Sequence, residues 1–132
     1  MPAAAGRCGR SDEYLMKLSK LAEILDANFI CCSQQGDIEF HKVGASDLMS
    51  DILAALSEDG ILLTGLATVQ VVNTSLISGV RGIVFVRNKE PNPGVIETAR
   101  EHEMPLLATP LSMFVSCGRL YGKGLTGLNG AR

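Results

Sequence analysis

The feature that most limits how this chain can fold is a repeated pairing. A short aliphatic run ends abruptly in polar groups and is followed by an amphipathic stretch of helical length. The runs are "ILLT" (61–64), "RGIVFV" (81–86) and "PLLAT" (105–109). Runs this short and this apolar leave no wet face, as in strands of a parallel sheet covered on both sides. Between the first two, "ATVQVVNTSLISG" carries valines that favour a strand locally. Its Val69, Val72 and Leu76 nevertheless share a helical face, with Gly79 where a C-cap belongs, so it reads as a crossover helix. Between the second and third, "EPNPGVIETAREHE" offers Asn92 as N-cap and Pro93 as first helical residue, where a missing N–H costs nothing. Val95, Ile96 and Ala99 face inward, and Met104, biased to extended geometry by Pro105, ends the helix.

The same alternation extends in both directions. Upstream, "GASDLMSDILAAL" has Ser46 as N-cap, Asp47 in the electropositive first turn, and Leu48, Ile52, Ala55 and Leu56 at helical spacing. Downstream, "LSMFVSCGRLY" is a last helix. Helices alternating with strands imply parallel pairing and right-handed crossovers. Near the N-terminus, Leu18, Leu21, Ala22 and Leu25 form one helical stripe. "NFICC" and "DIEFHKV", split by the turn-like "SQQGD", are expected to pair as a hairpin. Residues 1–15 read as a flexible extension and the Gly-rich 123–132 as a flexible tail. The expected fold is one α/β domain over 16–122: three α/β/α layers around a largely parallel sheet of consecutive β-α units, with a short N-terminal helix and hairpin-like strands.

Composition narrows the function. Hydrophobic residues make up 46% and aromatics only 5%, with no Trp, so the core must be aliphatic. A net charge of -2 offers no electrostatic footprint for nucleic acid. No apolar run approaches a membrane span, and the N-terminus has no signal-peptide core, which reads as a soluble cytoplasmic protein. Cys8, Cys31, Cys32 and Cys117 form no Cys-x-x-Cys, and His41 and His102 are not spaced with them as zinc ligands. Cys31 and Cys32, adjacent in a strand, should point to opposite faces, so neither a metal nor a cofactor is expected. Asp47 and Asp51, four residues apart, fit a solvated helix face. Cys117 lies near Arg119 but has no assignable base. "GRLYGKGL" is one residue short of a phosphate-binding loop, and neither G-x-G-x-x-G after a strand nor G-x-S-x-G occurs.

Ligands of parallel sheets bind outside the carboxyl ends of the strands, next to helix N-termini. Those ends carry Thr64 and Gly65, then Arg87, Asn88 and Lys89, then Thr109. Two cations, two hydroxyls and unpaired amides suit an anion such as a phosphate. The same residues also fit a plainer role, as helix caps and loop-solubilising charges. The candidate ligand-binding residues are Asp47, Thr64, Gly65, Asn73, Arg87, Lys89 and Thr109. Asn73 enters as a polar residue inside a mostly apolar helix, and Asp47 as the start of "SDLMSD".

"ASDLMSD", "LLTG", "RGIVFVR" and "SMFVSCGRLY", within a stretch from about Met16 to Leu125, resemble the small stand-alone DRTGG-domain proteins of anaerobic bacteria. The resemblance implies a three-layer α/β fold similar to the N-terminal domain of HPr kinase/phosphorylase. It also implies an accessory or dimer-forming role, as in DRTGG domains within phosphotransacetylases and between CBS domains of certain pyrophosphatases. It implies no established activity, and the kinase's phosphate loop belongs to a domain this chain lacks. The pentapeptide that names the family is absent: the turn after "ILLT" reads "GLATVQ", so no role resting on the acidic–basic pair carries over. The expectation is a non-catalytic regulatory domain, homodimeric, sensing a nucleotide or phosphorylated metabolite at the strand ends. A module that docks a partner enzyme without a small ligand is the alternative, and a phosphoryl- or acyl-transfer enzyme ranks last.

Overall fold

A computed structural model of the chain describes residues 15–48 and 60–127. In chain order the elements are β1 (Met16–Lys17), α1 (Leu18–Leu25), β2 (Asn28–Cys31), β3 (Glu39–Phe40), β4 (Lys42–Ala45) and β5 (Gly60–Thr64). They continue with α2 (Val69–Ser78), β6 (Gly82–Phe85), α3 (Pro93–Glu101), β7 (Leu106–Ala108), α4 (Met113–Gly122) and β8 (Thr126–Gly127). The helix expected over "GASDLMSDILAAL" lies outside the described residues beyond Leu48, as does Asp51.

The three apolar runs become β5, β6 and β7, side by side and parallel, in a six-stranded sheet of order β2-β7-β6-β5-β4-β8. Alternation along each strand feeds two separate cores. Leu62, Ile83, Phe85 and Leu106 pack with Val71, Val72, Val95 and Ala99 from α2 and α3. Ile61, Leu63, Val84, Val86 and Leu107 pack on the other face with Leu18, Leu21 and Leu25 of α1 and Leu120 of α4. This is the expected α/β/α layering. Fully burying such an aliphatic side chain is worth roughly 1.5–3 kcal/mol, so these two clusters dominate the favourable side of folding.

The caps follow the sequence. The Asn92 side chain accepts from Val95 N at 3.1 Å with Pro93 at the first turn, and Gly79 closes α2 with φ 84°. Ser112 and Thr68 cap α4 and α2 in the same way, each accepting from the N–H three residues on. Among the described residues no helix is long and apolar enough to cross a membrane.

The structure departs from the sequence reading in five places. "NFICC" and "DIEFHKV" do not form a hairpin: β2 pairs antiparallel with β7, at the far edge from β4. The second run also divides, because β3 pairs with β1 in a separate two-stranded sheet while β4 joins β5. Cys31 and Cys32 do not face apart. Cys32 takes a left-handed φ of 61°, which breaks the strand alternation and turns both thiols into the same core. The buried stripe of α2 is Val71, Val72, Ser75 and Ser78, and Val69 is exposed. Small serines let that helix lie close to its neighbours. Finally, Thr126–Gly127, assigned from sequence to the tail, forms an edge strand parallel to β4, with Leu125 buried beneath.

Candidate functional site

After β6 the chain leaves to the α2/α3 face, and after β7 it leaves to the α1/α4 face. Adjacent strands whose exits diverge open a crevice at their carboxyl ends, the usual ligand position in doubly wound sheets. The local chemistry is set by three strand ends stitched together. Ser46 N donates to Leu63 O at 3.1 Å, and Val86 N donates to Thr64 O at 3.0 Å. Across β4 and β5, Asp47 Oδ1 accepts from Gly65 N at 2.6 Å and from the buried Thr64 hydroxyl at 3.1 Å. Thr64 Oγ1 accepts in turn from Leu66 N at 3.1 Å.

Gly65 is hemmed in from both sides. A Cβ there would lie 3.3 Å from Arg87 Nη2 and 3.5 Å from both Asp47 carboxylate oxygens. A carboxylate and a guanidinium therefore flank one glycine, and a side chain would wedge between them. Four of the seven sequence candidates, Asp47, Thr64, Gly65 and Arg87, thus gather at one spot. The Gly65 amide and the Thr64 hydroxyl already serve Asp47, so the arrangement is an internally satisfied anion site with the cation beside it.

Arg87 is held there at a conformational cost. Arg87 and Asn88 have φ of 57° and 55°, a left-handed pair at the centre of a turn closed by Lys89 N to Val86 O at 3.2 Å. Two consecutive left-handed L-residues cost about 1–2 kcal/mol each. The turn is pinned to the β7 exit by Arg87 N to Leu111 O at 2.9 Å and Asn88 N to Thr109 O at 2.8 Å. Strain of this kind persists only where surroundings over-determine it, and it concentrates at binding sites.

The other candidates fall elsewhere. Thr109 is fully buried, its hydroxyl donating to Leu25 O and accepting from Leu111 N at 3.2 Å, so it ties α1 to the β7 exit. Asn73 stands on the exposed side of α2, midway along the helix. Lys89 is exposed in the strained turn, two residues after Arg87.

The cysteines are packed and chemically quiet. Burial, reinforced by a hydrogen bond with the Cys31 thiol and by that thiol's charge, pushes Cys32 up to about 11. Burial also raises Cys117, while the neighbouring Arg119 turns away to Ile24 O at 2.8 Å and Asp26 at 3.5 Å. Thiols shifted upward stay protonated at neutral pH and are poor nucleophiles. Among the described residues no group of three or more His, Cys, Asp or Glu side chains is placed to hold a metal.

Sequence reasoning missed a cleft of about 310 Å³ on the far side of the strained turn, lined by Asn28, Ile30, Asn88, Glu90, Pro91, Ile96 and Ala108. The strand-end rule reads Asn88 off the β6 end, but it is not among the seven candidates, and Glu90 follows two residues later. Asn28 lies beyond that rule, because only the antiparallel pairing of β2 with β7 brings it there, with Asn28 opposite Ala108.

The fold is that of a small doubly wound α/β domain. The chain belongs to the DRTGG-domain family, whose sequence profile matches residues 20–121. No curated protein matches the chain. Among solved structures it resembles the CBS and DRTGG domains of the regulatory region of Clostridium perfringens pyrophosphatase, complexed with activator, diadenosine tetraphosphate. The TM-score is 0.66 at 17% identity, over 88% of this chain and 50% of that one. The chain thus spans half the length of that solved structure.

Proposed function

We propose that this chain is a non-catalytic regulatory domain that binds an anionic ligand, a nucleotide or phosphorylated metabolite, at the carboxyl ends of its parallel strands. The observation that carries the reading is Arg87, set by a strained turn at the β6 end with its guanidinium beside Gly65 and the Asp47 carboxylate on the glycine's other side. Arg87 and Lys89 supply the charge for the ligand. Asp47 holds the β4 and β5 ends together, while the guanidinium lies on the other side of Gly65. Family membership supports a regulatory role, as does the likeness to a pyrophosphatase regulatory region that takes a dinucleoside polyphosphate activator.

A thermal-shift screen against nucleotides, phosphorylated metabolites and simple anions tests the proposal. A ligand present at a hundred times its Kd adds about 2.7 kcal/mol, a shift of several degrees for a domain of this size. Arg87→Ala with Lys89→Ala should abolish that shift while leaving the fold intact. Unchanged affinity in the double variant overturns the site.

One observation favours a second role for another surface. On α4, Phe114 is 86% exposed, and Val115 and Tyr121 are also open to solvent. Such a patch suits a partner enzyme or a second copy of the chain, and a homodimer formed there would present two ligand sites. Light scattering on the native chain and on Phe114→Glu reads this directly: a native dimer that becomes monomeric supports it, and a native monomer excludes the homodimer.

A further inference from the structure

The strained turn faces two ways. Arg87 reaches back over Gly65 on the β5 side, while Asn88, the next residue, lines the cleft on the β7 and β2 side. The floor of that cleft is apolar, made by Ile30, Ile96, Pro91 and Ala108, and its polar groups are two side-chain amides and one carboxylate, from Asn28, Asn88 and Glu90. Among the described residues, none of these three side chains makes a hydrogen bond within the chain, so all are available to a ligand.

That chemistry rejects a phosphate and welcomes a flat, uncharged heterocycle. Primary amides can pair with the donor and acceptor edge of a base, isoleucine and proline surfaces can cover its faces, and a carboxylate can accept from sugar hydroxyls or an exocyclic amine. The volume agrees. At about 310 Å³ the cleft is at the lower end of the roughly 300–1,000 Å³ typical of ligand pockets, enough for a base and its sugar but not for a polyphosphate as well. The adjoining surface along α3 carries Glu97, Glu101 and Arg100, one net negative charge. The two cations Arg87 and Lys89 make the direction across the turn the more favourable one for a polyphosphate.

We infer that the cleft is a nucleoside subsite, and that one ligand straddles the Arg87–Asn88 turn with its base and sugar in the cleft and its phosphates on the Arg87 side. This rests on the anion-binding reading above and names the class of ligand for it: a nucleoside polyphosphate. The left-handed pair gains a purpose in this arrangement, since it sends consecutive side chains to the two halves of one ligand.

The test uses three probes on the full chain, adenosine triphosphate, adenosine and inorganic tripolyphosphate, followed by calorimetry and amide chemical shifts. Two variants address the cleft: Asn88→Gly, which keeps the left-handed turn, and Ile96→Trp, which fills the floor. Both should weaken the nucleotide at least tenfold and abolish the adenosine response while leaving tripolyphosphate unchanged. Arg87→Ala with Lys89→Ala should weaken tripolyphosphate and the nucleotide and leave adenosine shifts at Asn28 and Asn88 intact. If tripolyphosphate and the nucleotide bind equally well and ignore both cleft variants, the subsite is refuted and the anion site stands. If adenosine binds in the cleft but neither phosphate-bearing probe responds to the Arg87 and Lys89 changes, the anion reading fails and the straddling arrangement with it. No response to any probe overturns both.

Discussion

Removing the Asp47 carboxylate is the perturbation whose consequence can be worked most directly from the geometry. Asp47→Ala deletes the acceptor for Gly65 N at 2.6 Å and for the Thr64 hydroxyl at 3.1 Å. Hydrogen bonds to charged groups are worth about 1.5–3 kcal/mol, but Asp47 is exposed, so about 1 kcal/mol for each is the fitting value. The Thr64 hydroxyl, fully buried, then donates to nothing and adds a desolvation cost of about 1 kcal/mol. The expected loss is about 2–3 kcal/mol, which for a domain of this length lowers Tm by about 8–12 °C. Asp47→Asn retains an acceptor oxygen and should lose about 1 kcal/mol. Urea unfolding of both variants measures this, and Thr64→Val closes a double-mutant cycle. Because both the Thr64 bond and the cost of its orphaned hydroxyl are absent with valine there, Asp47→Ala should cost about 2 kcal/mol less in the Thr64→Val background. An Asp47→Ala chain as stable as the native one, or strict additivity with Thr64→Val, refutes the assignment of Asp47 as the link between the β4 and β5 ends.

Three further outcomes are expected. Arg87→Gly relieves a left-handed L-residue worth about 1–2 kcal/mol and gives back about 0.5–1 kcal/mol in glycine entropy. The variant should therefore be more stable by about 0.5–1 kcal/mol in urea unfolding and yet bind no anion, and a destabilised variant would show that the turn is not strained. Gly82→Ala places a Cβ 3.1 Å from Ile61 Cδ1 and 3.5 Å from Pro105 Cγ, in the buried β6, and should cost about 1–3 kcal/mol by overpacking. Calorimetry with an unchanged Tm would contradict that packing. Cys32, raised by burial from 9.0 to about 11, binds its proton more tightly in the folded chain. Its stabilising contribution is present below pH 9 and is lost as pH rises toward 11, at up to about 1.4 kcal/mol per pH unit. The difference in stability between native and Cys32→Ala chains should narrow across that window, and a pH-independent difference would exclude the shift.

The local rules succeeded wherever one segment's residues settle its own structure. Asn92 and Pro93 start α3, and Gly79 stops α2 because glycine alone takes φ 84° freely. The apolar "ILLT", "RGIVFV" and "PLLAT" must be covered on both faces, which fixes parallel strands with helices above and below. The same rules put Thr64, Gly65 and Arg87 at strand ends and Asp47 in the first turn of a helix, and those four do meet. They failed where a residue's role depends on a distant partner. Thr109 looked like a ligand donor, but its hydroxyl is spent on Leu25 O, a partner eighty-four positions away. Val69 looked inward-facing, yet α2 is rotated so that serines meet its neighbours.

By itself, then, the sequence determined the layered α/β class, the aliphatic core and the strand-end chemistry, because hydrophobic periodicity and capping are short-range. Only the tertiary structure decided that β2 joins β7, that Cys32 turns into the same core as Cys31, and that Asn28 meets Asn88 across a cleft. Edge-strand pairing is chosen by which open ladder is left uncovered once the parallel strands have packed, and that is a property of the whole assembled sheet, not of any segment in it.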